Sequence, residues 1–375
     1  MDRKIPLYTL DGVTGAEKTT HYFSTGDGLG LQLLRFKRAP SGDAVLIIHG
    51  LTTSTDMFVM PEHYNLVQYL LDNGYGDVWT VDYRMSNRWN YNLQRNHYNM
   101  DDIALYDFPA AIAKLREQIG PEARIHVICH CLGSVSFLMS LFAKQVTGIT
   151  SVIANSVALT PRVPFFSRVK GFVGPTLFET VLGFPYVSPM WSEDAGLTRG
   201  KIVSKIVSAV HRECDVPACH MLSLMWGSGF PALYLHENLD PVTHERGGDL
   251  YGPVNIHYHR HVLKMIRSKN TAVKFEPENP KYDALPNNYF KYARQIQTPI
   301  LLVTGNQNRV FADSNIECHR RLEKIAPGRH RLHIFEGYGH QDVFMGKDVA
   351  RDIFPTFLEY LREHSGARAP QAVAS

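Results

Sequence analysis

The stretch Arg124–Ser134 reads R-I-H-V-I-C-H-C-L-G-S. Ile125 to Ile128 have strand character, Cys131 and Gly133 fall in the turn that follows, and Val135 to Phe142 is apolar and helix-like. A strand that runs at once into a sharp turn and a helix lifts one side chain above the end of a sheet, the layout of a nucleophile elbow. The usual pattern is G-x-S-x-G. Here C-H-C-L-G puts Cys131 in the serine's place and Cys129 in that of the first glycine.

The chain on either side predicts the sheet that such an elbow needs. Residues 5 to 37 hold short alternating segments, H-Y-F-S-T and L-Q-L-L-R-F, split by T-G-D-G-L-G, which reads as antiparallel strands. Ala44 to Ile48 is a continuous apolar run, as in a strand buried on both faces, and ends in His49-Gly50-Leu51. A helix over Tyr64 to Asn73 stops at Gly74, and a strand over Asp77 to Asp82 leads into the loop Y-R-M-S-N-R-W. Apolar residues recur at helical spacing from Asp102 to Gln118, where Gly120-Pro121 intervenes, and Ile149 to Ala154 is a further strand after the elbow helix. This alternation predicts an α/β fold with a mostly parallel central sheet flanked by helices. Chemistry then belongs at the carboxyl ends of the strands, where His49, Cys131 and the loop after Asp82 all fall.

The rhythm divides the chain. Residues 1–158 form the first part of the core. Residues 159–297, rich in Pro, Gly, Phe, Met and Trp, predict a large inserted helical cap over the catalytic edge. Residues 298–364 return to the core: P-I-L-L-V-T-G, a helix from Asn315 to Ile325, a strand from Arg331 to Phe335 leading into G-Y-G-H-Q-D, and a helix from Asp348 to His364. Residues 365–375 are small and polar and read as a disordered tail.

Composition narrows the function classes. At 375 residues, 44% hydrophobic and 20% charged, the chain can bury a large core. A net charge of +3 without a basic run gives no reason to expect nucleic acid or an anionic membrane as partner. M-D-R-K-I-P-L-Y has no apolar continuation of the secretory kind, and no apolar run approaches the roughly 20 residues of a transmembrane helix. Five scattered cysteines make no disulfide framework and fit a reducing cytoplasm, where a catalytic thiol stays reduced.

Several segments resemble known families. I-I-H-G-L-T-T-S, V-W-T-V-D-Y-R and L-Y-D-F-P-A-A-I resemble acid lipases, and the chain resembles α/β-hydrolases over nearly its whole length. C-H-C-L-G-S, N-R-V-F and G-Y-G-H-Q-D-V-F-M-G-K-D-V-A-R-D-I-F-P are similar to the hydrolase-like domain fused to cholesterol-oxidase-like (GMC) flavin oxidoreductases. That resemblance implies a functional link to a flavin oxidoreductase. No G-x-G-x-x-G follows a strand near the N-terminus, and no cofactor is expected.

Acyl transfer needs a nucleophile, a base, a group orienting the base, and donors for the oxyanion. Cys131 is the candidate nucleophile, with a thiol whose pKa a helix N-terminus and a nearby imidazole should lower; the bland alternative is a small buried residue. Of 18 histidines, His340 is the candidate base, because G-Y-G-H follows the last strand, where the resemblance puts the histidine. The acid implied after Gly305 is missing: the slot reads G-N-Q-N, with Asn308 at its end. An amide oxygen can orient an imidazole without stabilising its charge, and a thiol depends less on that help than a hydroxyl does. Asp313 and Asp240 are the alternative acids. The oxyanion donors are the backbone N–H groups of Leu51 and Leu132.

No metal site is expected. His257, His259 and His261 lack an H-E-x-x-H context, and Cys214 and Cys219 in C-D-V-P-A-C read as structural. The cap segments F-F-S-R-V-K-G-F-V, T-L-F-E-T-V-L-G-F and M-L-S-L-M-W suit a lipophilic acyl or polycyclic small molecule. The expected reaction is hydrolysis of an ester, thioester or lactone through a thioester on Cys131. Passing the acyl group to an alcohol or amine acceptor is the alternative, for which polyhydroxyalkanoate synthases, similar in their cysteine elbow, are the precedent. A non-catalytic binding or accessory protein is the third reading.

Overall fold

Among the described residues there are ten strands: β1 Glu17–Ser24, β2 Gly30–Lys37, β3 Asp43–Ile48, β4 Asp77–Asp82, β5 Arg124–His130, β6 Ile149–Asn155, β7 Tyr186–Val187, β8 Val254–Asn255, β9 Ile300–Gly305 and β10 Arg331–Phe335. The structure, a computed structural model, describes residues 10–94 and 96–366. The N-terminal segment read for a secretory signal, and the tail from residue 367 onward, lie outside these.

Eight strands make one sheet in the order β1-β2-β4-β3-β5-β6-β9-β10. β1 and β2 pair antiparallel, as does β2 with β4; every other neighbouring pair is parallel. Every residue of β3, β4 and β9 is buried, which is why β3 and β9 read as apolar runs rather than alternations. Helices such as Phe108–Ile119, Cys131–Phe142, Ser314–Ile325 and Phe354–His364 bury their apolar faces beside the sheet. Each fully buried Leu, Ile or Phe contributes about 1.5–3 kcal/mol of transfer free energy.

Three elements differ from the sequence expectation. The helix expected over Asp102 to Gln118 begins at Met100, passes through a wider turn at Ile103–Asp107 and continues as Phe108–Ile119. The final helix is broken at Ile353, because Pro355 lacks an N–H and starts a new helix in its first turn. The segment between β6 and β9 contains the helices Phe165–Pro175, Arg199–Val210, Pro217–Trp226 and Ile256–Arg267, together with the small antiparallel pair β7–β8. Its last part lies on the core: Ala272 N donates to Leu159 O (2.8 Å), and Tyr289 Oη donates to Asp101 Oδ1 (2.6 Å).

No helix among the described residues is long and apolar enough to cross a membrane.

Candidate active site

Register brings the site together. Ile48 pairs with Cys129, so the chain leaving β3 as His49-Gly50-Leu51 runs beside His130-Cys131 leaving β5. Cys131 is the first residue of its helix and adopts φ 54°, a left-handed conformation unusual for a non-glycine residue. The strain is what an elbow requires, and it is held in part by a bond from Cys131 N to Ser156 O (3.0 Å). His340 arrives from the far edge. Gly305, at the end of β9, has Tyr338 O only 2.0 Å from where a Cβ would sit, so the turn carrying His340 can cross the strand end only over a glycine.

The backbone N–H groups of Leu132 and Leu51 face the Cys131 thiol and favour its thiolate form. Two backbone donors facing one side chain at a strand end are the arrangement an oxyanion cradle needs. Its floor is anchored below. Thr55 N donates to Asp82 Oδ1 (3.0 Å), and the buried Asp82 lies 3.8 Å from His49 Nε2 and 3.1 Å from Arg88 Nε.

Burial decides the protonation states. It pushes the Cys131 thiol up to about 12, against the pull of the two amides. This reverses the expected lowering: the thiol is 5% exposed and desolvation outweighs the helix terminus. The thiol therefore rests neutral. Burial, with His130 alongside, holds the His340 imidazole well below its ordinary value, so it rests as a free base.

A ring nitrogen of His340, a ring nitrogen of His130 and the Cys131 sulfur all lie within 4.8 Å of one another. His340 is packed between the rings of His130 (4.7 Å between centroids) and Phe311 (5.9 Å), and neither of its nitrogens has a hydrogen-bond partner.

The three residues considered for orienting His340 are engaged elsewhere. Asn308 Oδ1 accepts from Val310 N (2.9 Å) and Phe311 N (3.0 Å), and its Nδ2 donates to Thr304 Oγ1 (3.3 Å). It closes a turn, for which an asparagine side chain is well suited. Asp313 pairs with Arg162 (2.8 Å) at the surface. Asp240 accepts from Val242 N (2.9 Å) at a helix start. No hydrogen bond joins any of them to His340.

Sequence reasoning missed His130, Asn155 and Gln341. His130 Nε2–H donates to Gln341 Oε1 (2.6 Å), and its Nδ1 accepts from Asn155 Nδ2 (2.8 Å), an arrangement that fixes one tautomer. Gln341 also contacts Met57 Sδ. Asn155 Nδ2 lies 3.4 Å from His340 O, and its Oδ1 is buried without a partner. Two signals could have found them: Asn155 ends a strand at the chemical edge of the sheet, and His130 and Gln341 adjoin the singled-out Cys131 and His340.

Beside the elbow lies a cavity of about 420 Å³. Leu132 and Phe311 line it, together with Val163, Phe178, Trp226 and Val262 from the segment between β6 and β9. Lys170 also lines it, with its ammonium bonded to the carbonyls of Ser223 (3.2 Å), Leu224 (3.0 Å) and Gly227; burial lowers it to about 8.

Comparison with known proteins agrees with this architecture. The chain is 22% identical to triacylglycerol lipase 1 of Arabidopsis thaliana, over 92% of this chain and 87% of that one. It is 21% identical to the probable lipase C16A3.12c of Schizosaccharomyces pombe, over 98% and 82% respectively. Among solved structures, the Pyrococcus furiosus esterase Pf2001 superposes with a TM-score of 0.52 at 14% identity, covering 97% of this chain and 99% of that one. A thermophilic esterase from Thermogutta terrifontis gives 0.53 at 11%, covering 93% and 100%. Residues 45–352 match the alpha/beta hydrolase family. The chain belongs to that family.

Proposed function

We propose that this protein is a cysteine-nucleophile acyl hydrolase acting on a lipophilic ester, thioester or lactone. One observation carries the reading: the unpartnered imidazole of His340 lies within 4.8 Å of Cys131 Sγ at the elbow, where the amides of Leu51 and Leu132 favour the thiolate. His340 takes the thiol proton as Sγ attacks the acyl carbon, and the two amides hold the oxyanion. The imidazolium returns that proton to the departing alcohol, thiol or lactone oxygen. A water deprotonated by His340 then attacks the thioester carbon, the C–S bond breaks to release the acid, and the imidazolium returns its proton to Cys131 Sγ. The apolar cavity beside Leu132 suits the acyl chain. The lipase and esterase names of the relatives support ester substrates.

Transfer to an alcohol or amine is favoured by one feature. Cys131 is 5% exposed and His340 1%, so water reaches the thioester poorly. The resemblance to the domain fused to flavin oxidoreductases supports a functional link to a flavin oxidoreductase, and the scattered cysteines suit a cytoplasmic setting. No carboxylate orients His340 in this reading; its place is set by packing against His130 and Phe311.

The test is incubation with p-nitrophenyl butyrate followed by intact mass. A butyryl adduct forms on the wild type and is absent from Cys131→Ala, and added alcohols or amines divert it to transfer product. If the wild type forms no adduct and matches Cys131→Ala in turnover, the protein is a binding or accessory protein instead.

A further inference from the structure

A second group of sulfur and imidazole ligands lies in the cap, apart from the elbow. Cys214 precedes the helix Pro217–Trp226, Cys219 is on it, His236 opens the turn His236–Asn238, and His244 is on the short helix Pro241–Glu245. One ligand atom from each lies within 4.8 Å of all the others. Cys219 Sγ is 3.4 Å from His236 Nε2, and the rings of His236 and His244 are 4.3 Å apart. Zinc with S and N ligands at about 2.3 and 2.0–2.1 Å would place neighbouring ligand atoms about 3.3–3.8 Å apart, so closure needs only small shifts. His244 Nε2 is buried with no hydrogen-bond partner.

We propose that Cys214, Cys219, His236 and His244 bind a structural zinc ion in a closed Cys₂His₂ tetrahedron. This revises the reading of Cys214 and Cys219 as plain structural residues. The cysteine spacing C-x₄-C is within the range of zinc sites, but the histidines, in H-x₇-H, are further apart than the usual finger allows, and only the fold brings them in. Binding takes two thiols to thiolates and releases two protons to solvent, leaving a neutral cluster. The surroundings are those of a built site. His220 bonds Ser208 Oγ (2.9 Å) and Cys214 O (2.9 Å) and approaches Cys214 Sγ (3.4 Å), and Tyr234 lies against Cys219.

The ion would fasten a part of the cap made of short turns to the loop that carries His340. Leu233 O accepts from Gln341 N (3.0 Å), and Asn238 O accepts from Lys347 N (2.8 Å). Asn238 Nδ2 donates to Gly337 O (2.8 Å) and Asp342 Oδ2 (2.7 Å). The segment holding His236 therefore grips the His340 turn from both sides, so zinc acts on the chemistry by positioning alone.

Metal analysis of purified protein tests this, independently of any esterase activity. Wild type and Cys131→Ala each carry about one zinc per chain, and Cys214→Ser/Cys219→Ser carries less than about a tenth of that. Should the double variant not fold, cobalt replaces it as the probe: wild type loaded with cobalt shows tetrahedral ligand-field bands and thiolate-to-cobalt charge transfer. Removing zinc from the wild type lowers kcat about tenfold with KM nearly unchanged, and adding zinc restores it. The proposal is overturned by wild type without zinc and without the cobalt spectrum. Zinc lost in Cys131→Ala but kept in Cys214→Ser/Cys219→Ser overturns it too, by placing the metal at the elbow. A Cys214–Cys219 disulfide in freshly purified protein does the same.

Discussion

Replacing Gly50 by alanine places a methyl group 2.7 Å from Cys131 Cβ and 3.5 Å from its sulfur. Carbon atoms rest about 3.5–4.0 Å apart, so the chain at Gly50 must retreat by about 1 Å. Cys131 cannot give way cheaply, because the elbow is pinned at Ser156 O and its conformation is already strained. The retreat carries the next amide, Leu51 N–H, away from the nucleophile. Losing one preorganised oxyanion donor costs about 10²–10³ in kcat, or about 2.7–4 kcal/mol in the transition state. Overpacking adds about 1–3 kcal/mol of lost stability, which a domain of this size survives. The assay is steady-state turnover of p-nitrophenyl butyrate with a parallel thermal melt: kcat collapses, KM stays within a few fold, and the melt shows a folded protein. A folded Gly50→Ala with kcat within threefold of wild type would refute the assignment of Leu51 to the oxyanion.

Four further outcomes are expected. Cys131→Ser loses about 10² or more in kcat, because a hydroxyl in the same buried position is harder to deprotonate than a thiol and no carboxylate supports the imidazolium; full activity sinks that argument. Asn308→Ala costs about 1–2 kcal/mol in urea unfolding by freeing two amides, while Asn308→Asp keeps those bonds and does not raise kcat; a large gain in kcat with aspartate would return this position to the base. In initial-rate pH profiles the acid limb of kcat/KM lies below the ordinary histidine range, since the depressed His340 stays a free base as pH falls; a limb at pH 6.5 or above contradicts this. His49 is lowered to about 4 and His130 to about 3, both by burial. A histidine depressed in the fold contributes stability that is present above its unfolded value near 6.5 and is lost as pH falls toward the folded value. The melting temperature therefore drops from about pH 6.5 down to 4, and a flat profile there would show these imidazoles to be solvated.

Much of this architecture was legible in the chain because β3 and β9 are buried along their whole length and read as apolar runs. The elbow was legible because one short segment supplies strand, turn and helix. What holds His340 was not. The slot after Gly305 implied Asn308, yet the amides of Val310 and Phe311, two and three residues on, compete for its oxygen and win by proximity. The thiol's acidity was misjudged for a related reason: a helix terminus is visible in sequence, whereas the depth at which the thiol sits depends on the packing of segments distant in the chain. The Cys214, Cys219, His236 and His244 cluster is a product of chain reversals among short turns, and no regular spacing announces it.

The placement of β9 and β10 bears on how the protein comes into being. These two strands join the sheet beside β6 only after the whole cap segment has been made, and β10 is the edge, paired to β9 alone. Contacts so distant in sequence form late, and synthesis delivers the amino-terminal part first. On the proposed assignment, the thiol of Cys131 is thus present on a growing chain long before His340, its base. On the same assignment, a chain cut before β10 would carry the elbow without its base, so competence waits on the last strand of the sheet.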